Sequence, residues 1–241
     1  MHRSTAESSV SVTPWSKPIV VLIVTQIVLG MREIPQSAFL LVYLQTAHLT
    51  PVTIASITST AQVTGTLAAL VGGVLTARYG HKWIFFGGLL VTALNSLVFQ
   101  LDQIWLITLL WALGGAGSAV ANIGSSSYLT ALGRHSAMGV ISAVFVLSTT
   151  IGGTLGNPVA GYLITHYGYG LFGWVMLAVI GVMCMVVYTL LPNATADAGT
   201  ETTAVVLPTR SLFRMPAIRA IVIMRACATL FYGMMLVLVP L

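Results

Sequence analysis

Long apolar runs separated by short polar breaks dominate the chain. A membrane-spanning helix needs about 20 mainly apolar residues. By that measure the pattern predicts seven spans, at residues 18–44, 52–76, 83–101, 104–131, 138–165, 171–191 and 217–241. The breaks are short except for residues 192–216, a polar, Ala/Thr-rich linker bounded by proline at each end. The pattern therefore predicts an all-α, polytopic membrane bundle of six helices, followed by a linker and a seventh helix.

The first 17 residues are polar and rich in Ser and Thr. The apolar segment that follows them is far longer than the core of a cleavable signal peptide. We therefore interpret residues 1–17 as a tail and the first span as a retained helix that directs insertion.

Composition agrees with a lipid-embedded chain. Of the 241 residues, 57% are hydrophobic and 6% are charged, whereas soluble domains carry about 25% charged residues. The net charge of +5 does not indicate a nucleic-acid partner, because no basic face exists outside the short breaks. We expect the lipid bilayer to be most of the solvent of this protein.

The sequence offers no enzyme motif. It contains no GxSxG, no HExxH and no phosphate-binding loop. Cys184 and Cys227 lie inside apolar runs, and the histidines are scattered rather than clustered like metal ligands. We predict no catalytic residue, no metal and no cofactor.

The basic residues predict the orientation in the membrane. Lys and Arg occur before span 1, between spans 2 and 3, between spans 4 and 5, and between spans 6 and 7. The opposite breaks, near His48, Asp102 and His166, contain none. Cytoplasmic loops carry the excess of Lys and Arg, so we predict a cytoplasmic N-terminus in the cell (inner or plasma) membrane.

The break between spans 2 and 3 predicts a short, glycine-punctuated turn from Gly73 to Lys82. This segment resembles the G-x-L-a-D-R-x-G-R-[RK] loop of the major facilitator superfamily. The residues that match in place are Gly73, Leu75, Arg78, Gly80 and Lys82. Ala77 stands where the family has an acidic residue, and His81 stands where a basic residue is usual. Arg78 and Lys82 also serve a simpler role as topology anchors.

Two further segments resemble motifs of the same family. Gly115-Ala-Gly117 in span 4 is similar to R-x-x-x-G-x-G, with Trp111 in place of the arginine. In span 5, the residues similar to the G-x-x-x-G-P-x-x-G-G motif of drug/proton antiporters are Gly152, Gly156, Pro158 and Gly161. Asn157 and Tyr162 occupy two of its glycine positions. Without the resemblance, this pattern indicates close helix packing and a bend at the proline.

The resemblance implies a fold of two similar halves, each made of two inverted three-helix repeats. Spans 1–3 and 4–6 would be the repeats, with substrate bound between the halves. The Gly73–Lys82 loop would latch against the other half as a cytoplasmic gate. The chain ends with Pro240-Leu241 and no polar tail. We therefore expect a truncated product that needs the missing C-terminal half, or a partner chain, for transport.

Arg32 and Glu33 interrupt the first span near its middle. Each charge costs roughly 2.5–3.5 kcal/mol at that depth, so the pair should face a cavity or a partner. Glu33 is the candidate proton carrier. Arg32 is the candidate for anchoring an anionic group or holding the charge of Glu33. The alternative is a structural buried ion pair in which Arg32 bonds to another helix.

Weaker polar candidates accompany this pair. Gln26 and Gln36 (or Ser37) share one face of the first span with Glu33, which indicates cavity lining. In span 4 the lining candidates are Asn122, Ser125, Ser126 and Tyr128, and Asn95 is a similar residue in span 3. Arg225 in span 7 either reaches the cytoplasmic face or lines the cavity.

The predicted function is secondary active transport of a small organic solute, coupled to protons by alternating access and inclined to efflux or antiport. A non-transporting membrane scaffold or an inactive fragment is the alternative. A seven-helix receptor is a third hypothesis. Its retinal-binding form would need a lysine in the last span, and residues 217–241 contain none.

Overall fold

The computed structural model describes residues 16–132 and 138–192, together with Ala220 and Met224. The chain divides into two compact units, Met1–Thr195 and Ala196–Leu241. The long helices described below all belong to the first unit.

Several predictions lie outside the described residues. They are the polar tail up to residue 15, the break at Arg134, the linker from residue 193, the span at 217–241 and its residue Arg225. Each of them stays a prediction.

The described chain is almost entirely helical. Its elements are α1 (Lys17–Thr46), α2 (Pro51–Tyr79), α3 (His81–Leu94), a 3-10 helix (Asn95–Gln100), α4 (Ile104–Leu132) and α5 (Met138–Leu190). With the 3-10 helix counted as the continuation of α3, five helices are long and apolar enough to cross a membrane. No strand occurs between residues 16 and 132 or between 138 and 192.

Proline marks where the first two helices begin. α1 has Pro18 in its first turn and α2 starts at Pro51. A helix start tolerates proline because the missing N–H would have no partner inside the helix. Thr50 caps α2, since its side chain accepts a hydrogen bond from the Thr53 backbone nitrogen at 3.3 Å.

The expected turn from Gly73 to Lys82 is much shorter in the structure. Gly73 and Arg78 lie within α2, Lys82 lies within α3, and only Gly80 separates the two helices. Gly80 has φ 86° and ψ 154°, a conformation that is open essentially to glycine alone. Apolar and small residues carry the helix to Tyr79, so one glycine suffices to reverse the chain.

Spans 5 and 6 are joined more tightly than the sequence predicts. α5 runs through 53 residues, and its non-helical backbone position is Gly168, with φ 81° and ψ 171°. The residues predicted as a break on either side of it are helical. A helix of that length extends about 80 Å, whereas the apolar core of a bilayer is about 30 Å thick. The kink divides α5 into a first arm (138–167) and a second arm (169–190), each long enough for one crossing.

The third span changes its helix type part-way. α3 ends at Leu94, and the chain continues to Gln100 as a 3-10 helix. Runs of 3-10 helix this long are uncommon, and they mark strain or a hinge. The junction at Asn95 is where two side chains of α1 bind, as described below.

Small residues let α1 approach α5 at backbone distance. A Cβ atom added to Gly152 would overlap the backbone of Ile27, and one added to Gly156 would overlap the backbone of Met31. α2 and α4 approach in the same way, where Gly115 lies against Ala61. Close approach at small residues is how helices associate in lipid, where no hydrophobic effect drives them together.

Two apolar clusters are separated along α1 by a polar layer. The first cluster packs Leu22 and Leu29 of α1 against side chains that include Phe85 and Tyr128. The second is built around Leu40 and Leu44, with Phe99, Ile107 and Phe172. Between them, α1 buries Arg32 and Gln36 against Asn95 and Ser96. The polar side chains thus lie at the middle of the helix.

Candidate functional site

Glu33 lies deep within α1. At 1.5 Å per residue, about 24 Å of helix precedes it and about 20 Å follows it. Its Oε1 atom accepts a hydrogen bond from the Ser118 hydroxyl of α4 at 2.6 Å, and its side chain is half-buried. This hydrogen bond joins the middle of α1 to α4.

Arg32 points to a different helix and is 2% exposed. Its Nε donates to the Ser96 hydroxyl at 3.2 Å. The Asn95 amide is oriented so that its nitrogen donates to the Leu110 carbonyl oxygen at 3.0 Å. Its oxygen then accepts from Arg32 Nη2 at 3.1 Å. These partners are neutral, so Arg32 is bonded to another helix, as in the structural alternative, but through hydrogen bonds rather than an ion pair.

The two glutamines of the predicted stripe are buried, each 1% exposed. Gln26 donates to the Ser125 hydroxyl at 3.0 Å and accepts from the Thr149 hydroxyl at 3.2 Å. It therefore joins α1 to α4 and to the first arm of α5. Gln36 donates to the Asn95 carbonyl oxygen at 3.0 Å. The stripe thus divides into two buried glutamines and the half-buried Glu33, and its role as cavity lining stays a prediction.

Asn122 and Ser126 are exposed on α4. The Ser126 hydroxyl donates back to the Asn122 carbonyl oxygen at 2.7 Å, as serines in apolar helices commonly do. Residues four apart lie on one helix face. Asn122 and Ser126 therefore follow Ser118, the partner of Glu33, along the same side of α4.

The two basic residues around Gly80 each lie near an aromatic ring. The Arg78 guanidinium carbon is 5.5 Å from the ring centre of Tyr79, and Lys82 Nζ is 5.5 Å from the ring centre of Tyr188. At Gly73 an added Cβ would meet nothing within 4 Å. The role of this segment as a gate stays a prediction.

The antiporter-like residues of α5 have two kinds of surroundings. Gly152 and Gly156 are buried at the α1 contact, so packing alone requires them. Pro158 is exposed on the same arm, and an added Cβ on Gly161 would meet Phe39 at 3.8 Å, an ordinary contact. The structure thus gives the two buried glycines a packing role, and the antiporter role of the four residues stays a prediction.

Comparison with known proteins identifies the family. The family model described as Major Facilitator Superfamily matches residues 21–241, which is most of the chain. The chain belongs to the Major Facilitator Superfamily. It is thus a member of a transporter family and not of an enzyme family. With five helices able to span a membrane, it is an integral, multi-pass membrane protein.

One curated relative is the fosmidomycin resistance protein of Escherichia coli (strain K12). It is 28% identical to this chain over 160 residues, which cover 65% of this chain and 37% of the relative. The chain therefore spans little more than a third of the length of that relative.

This superfamily member lacks two charges that its motifs would lead one to expect, and Trp111 shows what replaces one of them. The indole of Trp111 packs against the apolar cluster around Leu40 and Phe172. Its Nε1 atom has no hydrogen-bond partner among the described residues. An arginine at this position would be a buried charge, whereas the tryptophan extends the apolar cluster.

Sequence reasoning missed three hydroxyl residues of the polar layer. Ser118 holds Glu33, Ser96 holds Arg32 and Thr149 holds Gln26. The chain is rich in serine and threonine, and most of these hydroxyls bond the preceding turn of their own helix. For Ser118, the one signal in the sequence is its spacing of four residues from Asn122, which places both on one face of α4.

Metal binding has no support in the described parts of the chain. Within residues 16–132 and 138–192, no three His, Cys, Asp or Glu side chains come together as ligands of an ion.

Proposed function

We propose that this protein is a secondary transporter that exports a small organic solute in exchange for protons by alternating access. In this proposal the described helices are the six-helix N-terminal half, built from two inverted repeats. The segment 217–241 would begin a second half. Membership of the superfamily and the apolar helices support the general class of function.

The main support for proton coupling is the environment of the Glu33 side chain. This carboxyl group lies near the middle of α1, a helix long enough to cross a membrane, and it is half-buried and bonds to the Ser118 hydroxyl. Carboxylates inside membrane segments are expensive, and they commonly mark proton relays. Since Arg32 is occupied by Ser96 and Asn95, protonation of Glu33 would not leave an arginine without partners. Glu33 is thus suited to gain and lose a proton.

The proposed solute route follows the polar side of α4. Asn122 and Ser126 are exposed there, along the same face as Ser118. A solute bound beside them would lie near Glu33, so that proton binding and solute binding could compete. Such competition is the physical basis of exchange. Each ligand would then favour a different state of the transporter.

The direction of transport is supported by the relative. Its name associates it with resistance to fosmidomycin, and export of a compound is one way in which a membrane transporter produces resistance. Because only part of that relative aligns with the chain, export and the organic nature of the solute are proposals here.

Replacement of Glu33 tests the proton coupling. The full-length protein is expressed in cells, and everted vesicles are prepared with an imposed proton gradient. We expect Glu33→Gln to abolish gradient-driven accumulation of the solute and to leave solute-for-solute exchange intact. The amide of glutamine still forms hydrogen bonds, but it cannot bind and release a proton as a carboxyl group does. Glu33→Asp, which keeps the carboxyl group, should retain part of the driven transport.

The matched control is Asn122→Ala. It should weaken both exchange and driven transport, since it removes a solute contact and leaves the carboxyl group unchanged. Driven transport by Glu33→Gln at the unmodified rate would refute the proton role. If the unmodified full-length protein shows neither driven transport nor solute-for-solute exchange, the result would instead support the scaffold hypothesis.

A further inference from the structure

The turn between α2 and α3 gathers two cations and three exposed aromatic rings. Arg78 and Lys82 flank Gly80, the single residue between the helices. The rings are Tyr79, Trp83 and, from the end of the second arm of α5, Tyr188. Their exposed fractions are 55%, 48% and 52%. Tyrosine and tryptophan concentrate at the membrane–water interface, so this end of the helices lies at the level of the lipid headgroups.

Within residues 16–132 and 138–192, no carboxylate forms a salt bridge with the two cations of this group. The described acidic residues are Glu33, in the middle of α1, and Asp102, which follows the 3-10 helix at the other end of the third span. Lys82 Nζ lies 5.5 Å from the centre of the Tyr188 ring, within the range of a cation–π contact. The ring fixes the position of the ammonium group and leaves its charge available to an anion.

The N-terminus of α3 adds to the positive electrostatic potential at this turn. Its N-cap is Gly80, which makes no side-chain capping bond, and the first turn has no acidic residue. No side chain of the described residues therefore accepts a hydrogen bond from the N–H groups of that turn. A helix N-terminus favours a negative group, and here Lys82 lies in the same turn.

Below the rings, both helices present exposed apolar side chains. On α3, Leu90 and Leu94 follow Trp83 by seven and eleven residues and are each 48% exposed. These spacings place all three on one helix face. On the second arm of α5, Met185 and Val182 precede Tyr188 by one and two turns and are exposed as well. The two helices are in contact through the Trp83 and Tyr188 rings, whose centres are 6.0 Å apart.

We propose that this surface is a binding site for an anionic glycerophospholipid. Lys82 and Arg78 bind the headgroup phosphate, the first-turn amides of α3 complete its hydrogen bonds, and the acyl chains lie along the exposed residues of α3 and α5. A soluble anion would use the cations but not the rings and apolar faces beneath them. The site lies at the α2–α3 turn, whereas Glu33 lies in the middle of α1.

Native mass spectrometry of the purified protein tests the site. The full-length protein is released from detergent micelles that contain phosphatidylglycerol or phosphatidylcholine. We expect preferential retention of phosphatidylglycerol. A basic residue near the membrane surface contributes about 1 kcal/mol to attraction of anionic lipid, which is about five-fold in affinity. Lys82→Gln should therefore weaken retention of phosphatidylglycerol about five-fold, and Arg78→Gln by a similar factor.

Lys17→Gln is the matched control, because Lys17 is exposed at the start of α1 and makes no cation–π contact with a ring of the described residues. It should leave retention unchanged, and Lys82→Arg should restore it. Tyr188→Leu keeps every charge and should weaken retention by a smaller factor. Equal losses for Lys82→Gln and Lys17→Gln, or equal retention of both lipids by the unmodified protein, would overturn the proposal. Arg78 is exposed at the end of α2, so its variant tests the site independently should Lys82→Gln fold poorly.

Discussion

At the scale of the residue, the neighbouring charges of α1 are divided between two helices. Arg32 bonds to Ser96 and Asn95 of the 3-10 helix, and Glu33 bonds to Ser118 of α4. Successive residues on a helix point about 100° apart, so a pair that is adjacent in sequence need not act as a pair in space. The buried arginine therefore bonds to one helix and the half-buried carboxyl group bonds to another.

Loss of the Arg32 guanidinium should destabilise the protein. Arg32→Met keeps the length and apolar stem of the side chain but removes the donor that the Ser96 hydroxyl and the Asn95 side-chain oxygen accept from. An unsatisfied buried polar group costs about 1–3 kcal/mol, so we expect a loss of stability of about 2–3 kcal/mol. Denaturant unfolding in detergent micelles measures it.

The control for that measurement is Lys17→Met, at an exposed position, which should change stability by less than about 0.5 kcal/mol. Arg32→Lys should recover only part of the loss, because an ammonium group cannot reproduce the planar fork. If Arg32→Met is as stable as the unmodified protein, Arg32 does not hold the 3-10 helix in position.

At the scale of the element, glycines decide how the helices meet and where they bend. Gly156 allows α1 to lie against α5, and Gly168 divides α5 into two arms. The first effect depends on the absence of a Cβ atom at a contact, and the second depends on a positive φ angle. Each effect can be tested by a glycine-to-alanine substitution, with a second glycine on the same arm of α5 as its control.

Gly156→Ala should disturb the contact between α1 and α5. The added methyl group overlaps the backbone of Met31, and overpacking of this kind costs about 1–3 kcal/mol. Gly161→Ala on the same arm is the control, because its methyl group would meet Phe39 at an ordinary 3.8 Å. Thermal unfolding of the two variants compares them. Equal midpoints would show that α1 and α5 do not approach so closely.

Gly168→Ala should destabilise the kink in α5. Its φ of 81° and ψ of 171° lie in a region that costs other residues about 1–3 kcal/mol. Gly181→Ala in the second arm is the control, since an added Cβ there meets nothing within 4 Å. We expect the control to be neutral or slightly stabilising, because alanine favours a helix interior over glycine. A tolerated Gly168→Ala would argue for an uninterrupted α5.

At the scale of the whole molecule, two apolar clusters enclose a polar layer within the described bundle. The helices present apolar side chains outward as well, for example Leu70 and Met185, which are 72% and 70% exposed. Such surfaces are favourable in lipid and would aggregate in water. The basic residues mark one membrane face, where Lys17 and the pair around Gly80 lie, and we predict that face to be cytoplasmic.

Cysteine labelling tests this orientation. In a background with Cys184 and Cys227 replaced by alanine, Ala47→Cys lies after α1 and Tyr79→Cys lies at the end of α2. We expect a membrane-impermeant maleimide to label Ala47→Cys in whole cells and Tyr79→Cys only after permeabilisation. The reverse pattern would place the N-terminus outside the cytoplasm and contradict the prediction from Lys and Arg.

Local chemistry determined much of this protein from sequence alone. Apolar length located α1, α2 and α4 to within a few residues, because a helix in lipid satisfies its own backbone hydrogen bonds. The same reasoning predicted that Arg32 and Glu33 lie mid-membrane, and the structure places them near the middle of α1. The match of Gly73 to Lys82 gave the family that the comparison confirmed. The proton and gating roles assigned to these residues remain predictions.

Only the tertiary structure decided which side chains meet. That Ser118 holds Glu33, that Ser96 holds Arg32, and that Gln26 and Gln36 are buried depend on how each helix is rotated against its neighbours. Nearly uniform apolar sequences do not specify that rotation by periodicity, since every face can lie against lipid or protein. It is set where small residues such as Gly152 allow backbones to touch and where buried polar groups find partners, which are long-range conditions that spacing along the chain does not record.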